Sequence, residues 1–330
     1  MFNLFYEPDY GKRKKKFFTL NFSNSVLLNI YIDFSYLFNF ILIDKFITNG
    51  PLKLMNNILK SVKGEKVSIN KIKYKDSYIV QFDDFGERAL EAILKKYGNK
   101  SKVLIGPLFT RDHLNNLLGY VNRYPFIQIV TVSHSAKLTL LNDLKLNVDP
   151  NRICVLPIGV IKKKKLLNPN KKNFRNEKCL VYFKNRKQED LVKVLDLLKN
   201  KKINFDLVKY GKYQNSTLIR LAKRNKFGIL INSTESQGFA VQEMLSNGLP
   251  LLVWNERKSK FEGIEINGTS VPYWDENCGI KVDNFEELKN NLDFFIKDLD
   301  KFLPQKIINE FLTYEKFLEN IKSEFVKIKL

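Results

Sequence analysis

The sequence predicts an α/β protein with two doubly wound, Rossmann-like domains. Two observations favour this fold class. Short apolar strand patterns alternate with helical patterns in two successive series, and a polar, cationic segment separates the series. The strands are rich in β-branched and aromatic residues, as is typical of parallel strands buried on both faces. A length of 330 residues suits two domains that each bury a core.

The first series of elements belongs to a predicted N-terminal domain of residues 1–160, in which residues 1–40 are expected to be irregular. Charged and amide side chains interrupt the apolar stretch Val26–Ile47. A spanning helix needs about 20 nearly uninterrupted apolar residues, so we expect no transmembrane segment. The predicted strands are Tyr78–Phe82, Val103–Ile105 and Phe126–Val132, with helices at Glu87–Tyr97 and Asp112–Val121.

The second series follows a predicted linker at residues 161–178, which is polar, cationic and contains proline. It forms a C-terminal domain of residues 179–330. The final helix, from Tyr314 onward, is expected to cross back onto the first domain, because its apolar face needs a surface to cover. The predicted strands are Leu180–Phe183, Phe205–Val208, Gly228–Ile231 and Leu251–Trp254, with helices at Glu189–Leu198, Thr217–Lys223 and Ala240–Ser246.

The composition bears on the class of binding partner and on the cellular compartment. The formal net charge is +21, which favours anionic partners such as phosphates, nucleic acid or a membrane surface. Most of that charge is lysine rather than arginine clustered with aromatics, so nucleic acid is not singled out. The three cysteines are far apart in sequence, which argues against a disulfide framework or zinc site and favours the cytoplasm.

Several chemistries lack their motifs. The chain has no G-x-x-x-x-G-K-[ST] loop, no G-x-G-x-x-G fingerprint, no H-E-x-x-H pair and no G-x-S-x-G elbow. P-loop phosphoryl transfer, standard dinucleotide binding and zinc hydrolysis are therefore unsupported.

The segment 234–250 carries the strongest functional signal. Glu235 follows a buried strand, at the edge where doubly wound sheets bind ligands. Glu243 falls one to two turns into a helix that begins near Gly238. Free N–H groups at that helix start suit a diphosphate, and Glu243 could accept hydrogen bonds from a ribose diol. The alternative is that both glutamates are solvated helix-end residues.

This segment resembles the E-x7-E motif of retaining nucleotide-sugar glycosyltransferases with the GT-B fold, especially the family 4 group. The element Val155–Val160 is similar to the end of that family's first domain. The resemblance implies two domains facing a cleft, with the acceptor on the first and the nucleotide sugar on the second. The matching positions are Glu235, Ser236, Gly238, Glu243, Gly248 and Pro250.

The resemblance also implies roles for individual residues. Glu235 would be catalytic through contact with the donor sugar. The family has a Gly-Arg pair that holds the diphosphate, and this chain has residues 184–187 at that place. Arg186 and Lys187 are the nearest candidates for diphosphate ligands, and Lys184 is a poorer one. The alternative is that this segment is only the start of a surface helix. His134 could contact the donor sugar, or it could cap a helix. The predicted donor-binding residues are Glu243, Ser236, Gln237, Gly238, Phe239, Arg186, Lys187, Gly211, Gly50 and His134.

The resemblance thus implies a metal-independent, hexosyltransferase-like enzyme of glycan biosynthesis that transfers a sugar to an acceptor hydroxyl with retention of configuration. No cofactor is expected beyond the nucleoside diphosphate sugar as co-substrate, and the acceptor would be a glycan, a lipid or a small molecule. Cytoplasmic localisation is expected, with peripheral contact to a membrane surface left open. Two alternatives remain, namely a basic nucleic-acid-binding or nucleic-acid-modifying protein, and an inactive GT-B sugar-binding subunit.

Overall fold

The computed structural model describes residues 3–5, 15–21, 27–33, 54, 57, 65–67, 77–82, 84–109, 114–161, 176–261 and 263–330. Within them the chain divides into two compact units. The first contains Leu54–Ile158 and Tyr314–Leu330, and the second contains Gly159–Thr313. Each unit is built on its own sheet.

The sheet of the first unit combines parallel and antiparallel pairs. Its described strand order is β4-β2-β3-β1-β5-β6-β7-β8. Strands β3, β1, β5, β6, β7 and β8 pair in parallel, whereas β2 is antiparallel to β3 and β4. The strands are β1 Asn3–Phe5, β2 Lys15–Asn21, β3 Leu27–Asp33, β4 Glu65–Val67, β5 Ser77–Phe82, β6 Lys102–Phe109, β7 Ile127–Thr131 and β8 Ile153–Val155.

Residues 1–40, which we expected to be irregular, contribute three of these strands. Leu27–Asp33 is rich in leucine, isoleucine and tyrosine, which favour a strand. Its pairing with β1 on one side and β2 on the other depends on neighbours along the sheet rather than on the local pattern.

The helices of the first unit include the last one in the chain. This last helix, α9 Tyr314–Lys327, buries Phe317, Ile321 and Phe325, and its Phe325 carbonyl accepts a hydrogen bond from Lys102 Nζ at 2.8 Å. The apolar face of the final helix is thus covered inside the first unit. The helices are α1 Asp84–Tyr97, α2 Leu114–Arg123, α3 His134–Leu138 and α9 Tyr314–Lys327.

The second unit holds a fully parallel sheet with the order β10-β9-β11-β12-β15. Its strands are β9 Asn176–Lys184, β10 Asn204–Lys209, β11 Asn225–Asn232, β12 Leu251–Trp254 and β15 Gly279–Val282. An antiparallel hairpin, β13 Lys258–Phe261 and β14 Ile264–Asn267, lies between β12 and β15 in the chain. The helices are α4 Gln188–Asn200, α5 Asn215–Arg224, α6 Phe239–Ser246, α7 Phe285–Lys297 and α8 Gln305–Phe311.

The two faces of this second sheet bury separate apolar clusters, as a doubly wound sheet requires. Along β9, Leu180 and Tyr182 belong to one cluster, whereas Cys179 and Val181 belong to the other. The alternation follows from the period of two in a strand. The α/β fold class with Rossmann-like parallel sheets, predicted from the sequence, is confirmed.

Two further findings bear on the composition. All three cysteines are buried and free. Among the described residues, no helix combines the length and the apolar character needed to cross a bilayer.

Candidate functional site

The order of strands in the second unit marks where a ligand would bind. The chain passes from β9 outward to β10 and then returns to the opposite side of β9 as β11. In open parallel sheets, ligands bind beyond the carboxyl ends of the strands, at the point where the strand order reverses. That point lies between β9, which ends at Lys184, and β11, which ends at Asn232.

Three polar side chains meet at this switch point. Glu235 Oε1 lies 2.7 Å from Lys184 Nζ and accepts a second hydrogen bond, at 3.3 Å, from Asn232 Nδ2. The side chains of Lys184 and Glu235 are only 18% and 14% exposed. The backbone supports the arrangement, because the Ser233 N–H donates to the Lys184 carbonyl at 3.0 Å. Glu235 is therefore held in an ion pair at the ligand-binding edge of the sheet.

Three tyrosines lie at or near the carboxyl ends of β9 and β10. Lys184 Nζ lies 4.5 Å from the centroid of the Tyr210 ring. The hydroxyl oxygens of Tyr182 and Tyr213 are 3.4 Å apart, and the two rings pack edge to face. Burial, above all, raises the pKa of Tyr182 and raises the pKa of Tyr213 to about 12, so both stay neutral hydroxyl groups at physiological pH.

Helix α6 begins directly after the Glu235 loop. Gly238 precedes it with φ +73°, a conformation that glycine adopts without strain, and no side chain caps the first turn. Gln237 is buried, and its side chain bonds to Gln242 Oε1 at 3.2 Å. Phe239 is half-buried against the core, whereas Ser236 is exposed. The first turn of the helix therefore presents its N–H groups beside Glu235.

Glu243 lies on this helix and is 8% exposed. Its Oε1 accepts a hydrogen bond from Asn215 Nδ2 at 3.0 Å, which ties α6 to the first residue of α5. A carboxylate at this depth is not a solvated helix-end residue, so that alternative does not describe Glu243.

The two predicted diphosphate ligands, Arg186 and Lys187, differ in their surroundings. The Arg186 guanidinium pairs with Asp190 at 2.9 Å and with Glu256 at 3.3 Å, and it packs 4.8 Å from the Trp254 ring. Lys187 is exposed and precedes helix α4. Lys184, which the sequence ranks below both, forms an ion pair with Glu235.

Gly211 lies beside a cavity of about 490 Å³. The cavity follows the carboxyl end of β10 and reaches the first turns of α5. Gly211 has φ +75°, and a Cβ there would meet open space, so the loop can present its backbone to a ligand. The lining residues are 207–214, Thr217 and Leu221, and they include both Tyr210 and Tyr213.

His134 and Gly50 are the last two of the predicted donor-binding residues. His134 is exposed and begins α3, but the capping residue is Ser133, whose Oγ accepts from the Ala136 N–H at 3.1 Å. Gly50 lies outside the described residues. In the part of the chain that the structure describes, no three His, Cys, Asp or Glu side chains are grouped to hold a metal ion.

Sequence reasoning missed Asn232 and Asn215 as partners of the two glutamates and underrated Lys184. A usable signal exists for two of them. Lys184 and Asn232 each end a buried strand, so their side chains had to lie at the carboxyl edge of the sheet.

No protein-family model matches the chain, and no curated protein matches its sequence. The chain is similar in structure to the GtfA/B complex, with a TM-score of 0.49, 11% identity and coverage of 78% of this chain. It spans 58% of the length of that structure. It is also similar to AviGT4, a glycosyltransferase involved in avilamycin A biosynthesis, with a TM-score of 0.47, 9% identity and coverage of 85% of this chain and 90% of that one.

A third similarity is to the UDP-GlcNAc 2-epimerase of Methanocaldococcus jannaschii, whose structure is in complex with UDP-GlcNAc and UDP. The TM-score is 0.39 and the identity 14%, with coverage of 84% of this chain and 80% of that one. At these identities the likeness concerns the fold alone. The assignment of a function therefore depends on the site in this chain.

The neighbours of Arg186 predict a structural effect for its removal. Its side chain is 9% exposed, and Arg186→Met would leave Asp190 and Glu256 without their cation. Unpaired carboxylates at partly buried positions are destabilising, so we expect a loss of about 2 kcal/mol in the free energy of unfolding. Urea denaturation followed by circular dichroism measures it. An unchanged midpoint together with weaker nucleotide binding would instead place Arg186 in the donor site.

Proposed function

We propose that the chain is a retaining glycosyltransferase that moves a sugar from a nucleoside diphosphate sugar to an acceptor hydroxyl. The observation that carries the proposal is the meeting of Glu235, Lys184 and Asn232 at the switch point, next to the uncapped first turn of α6. The site thus offers a carboxylate for sugar hydroxyls beside a cation and N–H groups for a diphosphate.

The four parts of such a donor have separate candidate partners. The N–H groups at Gly238 and Phe239, with Ser236 and Lys184, would hold the diphosphate. Glu243 would accept hydrogen bonds from the ribose, and the nucleobase would enter the cavity beside Gly211 and the two tyrosines. Glu235 would bind hydroxyls of the transferred sugar.

The transfer breaks the bond between the anomeric carbon and the diphosphate oxygen, and the electron pair leaves with the diphosphate. The acceptor oxygen then bonds the anomeric carbon on the same face and passes its proton to the departing diphosphate oxygen. Lys184 and the helix start would stabilise the departing charge, so the proposed reaction uses no metal. Glu235 is assigned to sugar binding, and no side chain is assigned as a nucleophile.

The proposal includes a division of the chain. Residues 1–160 would bind the acceptor, and 161–178 would link the domains up to the start of strand β9 at Asn176. Residues 179–330 would bind the donor, except for the final helix α9, which belongs to the first unit. A glycan, lipid or small molecule would serve as acceptor, in the cytoplasm or at the surface of a membrane that the cationic protein contacts peripherally.

A thermal-shift screen tests the donor site. The probes are UDP, GDP, ADP, UDP-glucose, UDP-N-acetylglucosamine, GDP-mannose and ADP-glucose. At 100 times its Kd, a ligand stabilises the folded protein by about 2.7 kcal/mol, so one nucleotide series should raise Tm clearly. Lys184→Met removes the ammonium, together with its contact to the Tyr210 ring, and keeps an unbranched side chain, so it should weaken binding by about tenfold to a hundredfold.

The matched control is Lys199→Met, which removes a lysine whose side chain is 65% exposed in α4 and should leave the shift intact. A panel without any shift, combined with tight binding of DNA or RNA at low salt, would overturn the proposal in favour of a nucleic-acid protein. Donor binding without any transfer or hydrolysis would indicate a sugar-binding subunit instead of an enzyme.

A further inference from the structure

The segment between β12 and β15 contacts the Glu235 loop directly. The backbone N–H of Glu235 donates to the Thr269 carbonyl at 2.9 Å, and Thr234 Oγ1 is hydrogen-bonded to Ser259 Oγ in strand β13. Gly268 permits this approach, because a Cβ at that position would lie 2.9 Å from Thr234 Cβ. The hairpin segment, residues 256–261 and 263–270, therefore packs against the loop that carries Glu235.

A second pair of bonds joins the hairpin segment to the end of β11. Asn232 Nδ2 donates to the Ser270 carbonyl at 3.2 Å, and Ser270 Oγ donates to the Asn232 carbonyl at 2.9 Å. Both residues have no exposed surface. Since Asn232 Nδ2 also lies 3.3 Å from Glu235 Oε1, the position of Ser270 bears on the carboxylate as well as on its backbone.

Asn255 fixes the position of the hairpin segment. Its Oδ1 accepts from Thr269 Oγ1 at 2.8 Å and from the Ser270 N–H at 3.0 Å. Its Nδ2 donates to Asp283 Oδ1 at 3.2 Å, and its own N–H donates to the Val282 carbonyl at 2.7 Å. Asn255 is 5% exposed, so its own polar atoms are shielded from water, and leaving one of them without a partner would be costly. One side chain thus links the ends of β12 and β15 to Thr269 and Ser270.

We propose that Asn255 and Thr269 are positioning residues for Glu235. The hydrogen bond between their side chains fixes the positions of two backbone carbonyls. The Thr269 carbonyl accepts from the Glu235 N–H, and the Ser270 carbonyl accepts from Asn232 Nδ2. The role in sugar transfer rests on the function proposed above. Misplacing a substrate-binding group by about 1 Å can lower a rate by up to a hundredfold.

Positioning of Glu235 by Asn255 and Thr269 is separate from stabilisation of the central sheet. Strand β12 is already paired with β11 from Leu251 to Trp254 and with β15 over the same residues. The bond between Asn255 and Thr269 lies outside that ladder. Its loss should therefore loosen the Glu235 loop without unfolding the domain.

Four variants of the full chain test the proposal. Thr269→Val removes the hydroxyl at nearly constant shape, and Thr269→Ser restores it. Asn255→Ala removes the other partner. The matched control, Glu265→Gln, alters an exposed ion pair with Lys258 on the same hairpin segment.

The first measurement is amide hydrogen exchange across residues 230–238, without any ligand. We expect Thr269→Val and Asn255→Ala to speed exchange of the Glu235 N–H by about tenfold, with wild-type rates in Thr269→Ser and Glu265→Gln. Unchanged exchange in both Thr269→Val and Asn255→Ala overturns the proposal. Since this readout needs no substrate, it stands whether or not the chain transfers sugars.

The second measurement uses the nucleotide sugar that gives the largest thermal shift. Thr269→Val should lower kcat for its hydrolysis or transfer about tenfold and keep the Kd of the matching nucleoside diphosphate within twofold; Thr269→Ser should restore kcat. A parallel loss of nucleotide affinity overturns the positioning role. If exchange responds and no nucleotide sugar binds, the proposed function fails while the loop support is retained.

Discussion

Glu235→Gln should lower kcat by about tenfold to a hundredfold while the Kd of the nucleoside diphosphate stays within about fivefold of wild type. A charged hydrogen bond to the reacting sugar is worth about 1.5–3 kcal/mol, which sets this range. Nucleotide affinity should hold or improve, because Lys184 Nζ, now 2.7 Å from Glu235, no longer has to leave a carboxylate to reach the diphosphate. Calorimetry with the nucleotide and steady-state turnover separate the two quantities.

The control for this variant is Glu265→Gln, which changes the same functional group at an exposed hairpin position. Its kcat and nucleotide Kd should equal those of the wild type. If Glu235→Gln loses nucleotide affinity tenfold and keeps kcat, Glu235 belongs to the nucleotide subsite. If it changes only Tm, the pair with Lys184 is structural.

The ion pair between Lys184 and Glu235 has a consequence for binding order. The same ammonium that would neutralise a diphosphate holds, in this structure, the carboxylate that would bind the sugar. Arrival of the diphosphate would draw Lys184 away and free Glu235 Oε1 for a sugar hydroxyl, with Asn232 still bonded to it. Binding of the diphosphate would therefore favour binding of the sugar, and the nucleotide alone should bind more weakly than the nucleotide sugar.

Local patterns were enough to predict most of the second sheet. Strand β12 and the central part of β11, residues 227–231, are buried and apolar, so their burial on both faces is visible in composition alone. Gly238 and the apolar stripe of Ala240, Val241, Met244 and Leu245 likewise predicted where helix α6 begins. In each case the signal lies within about ten consecutive residues.

Contacts between distant segments were not predictable in the same way. Lys184 and Glu235 are 51 residues apart, and their meeting follows from the pairing of β9 with β11, which no local pattern specifies. The hairpin β13–β14 has a polar, alternating sequence typical of exposed strands and of loops alike. Its contact with Thr234 depends on a close backbone approach at Gly268 that only the folded chain reveals.

Glu243→Ala should weaken binding of the nucleoside diphosphate by about tenfold to a hundredfold and raise the donor KM by a similar factor, with kcat within twofold. Glu243 would bind the ribose, which keeps its charge and shape during transfer, so the bond is present equally in the ground and transition states. Glu243→Gln should fall between wild type and alanine, because an amide offers one acceptor oxygen where the carboxylate offers two.

Asn215→Ala serves as the matched variant, since it removes a hydrogen-bond donor of Glu243 and leaves the carboxylate in place. Its nucleotide Kd should rise less than threefold if the carboxylate itself contacts the ribose. Equal losses in Glu243→Ala and Asn215→Ala, accompanied by equal drops in Tm, would mean that the pair only joins α5 to α6. An unchanged Kd in Glu243→Ala would remove Glu243 from the donor site and, with it, the nucleotide half of the proposed function.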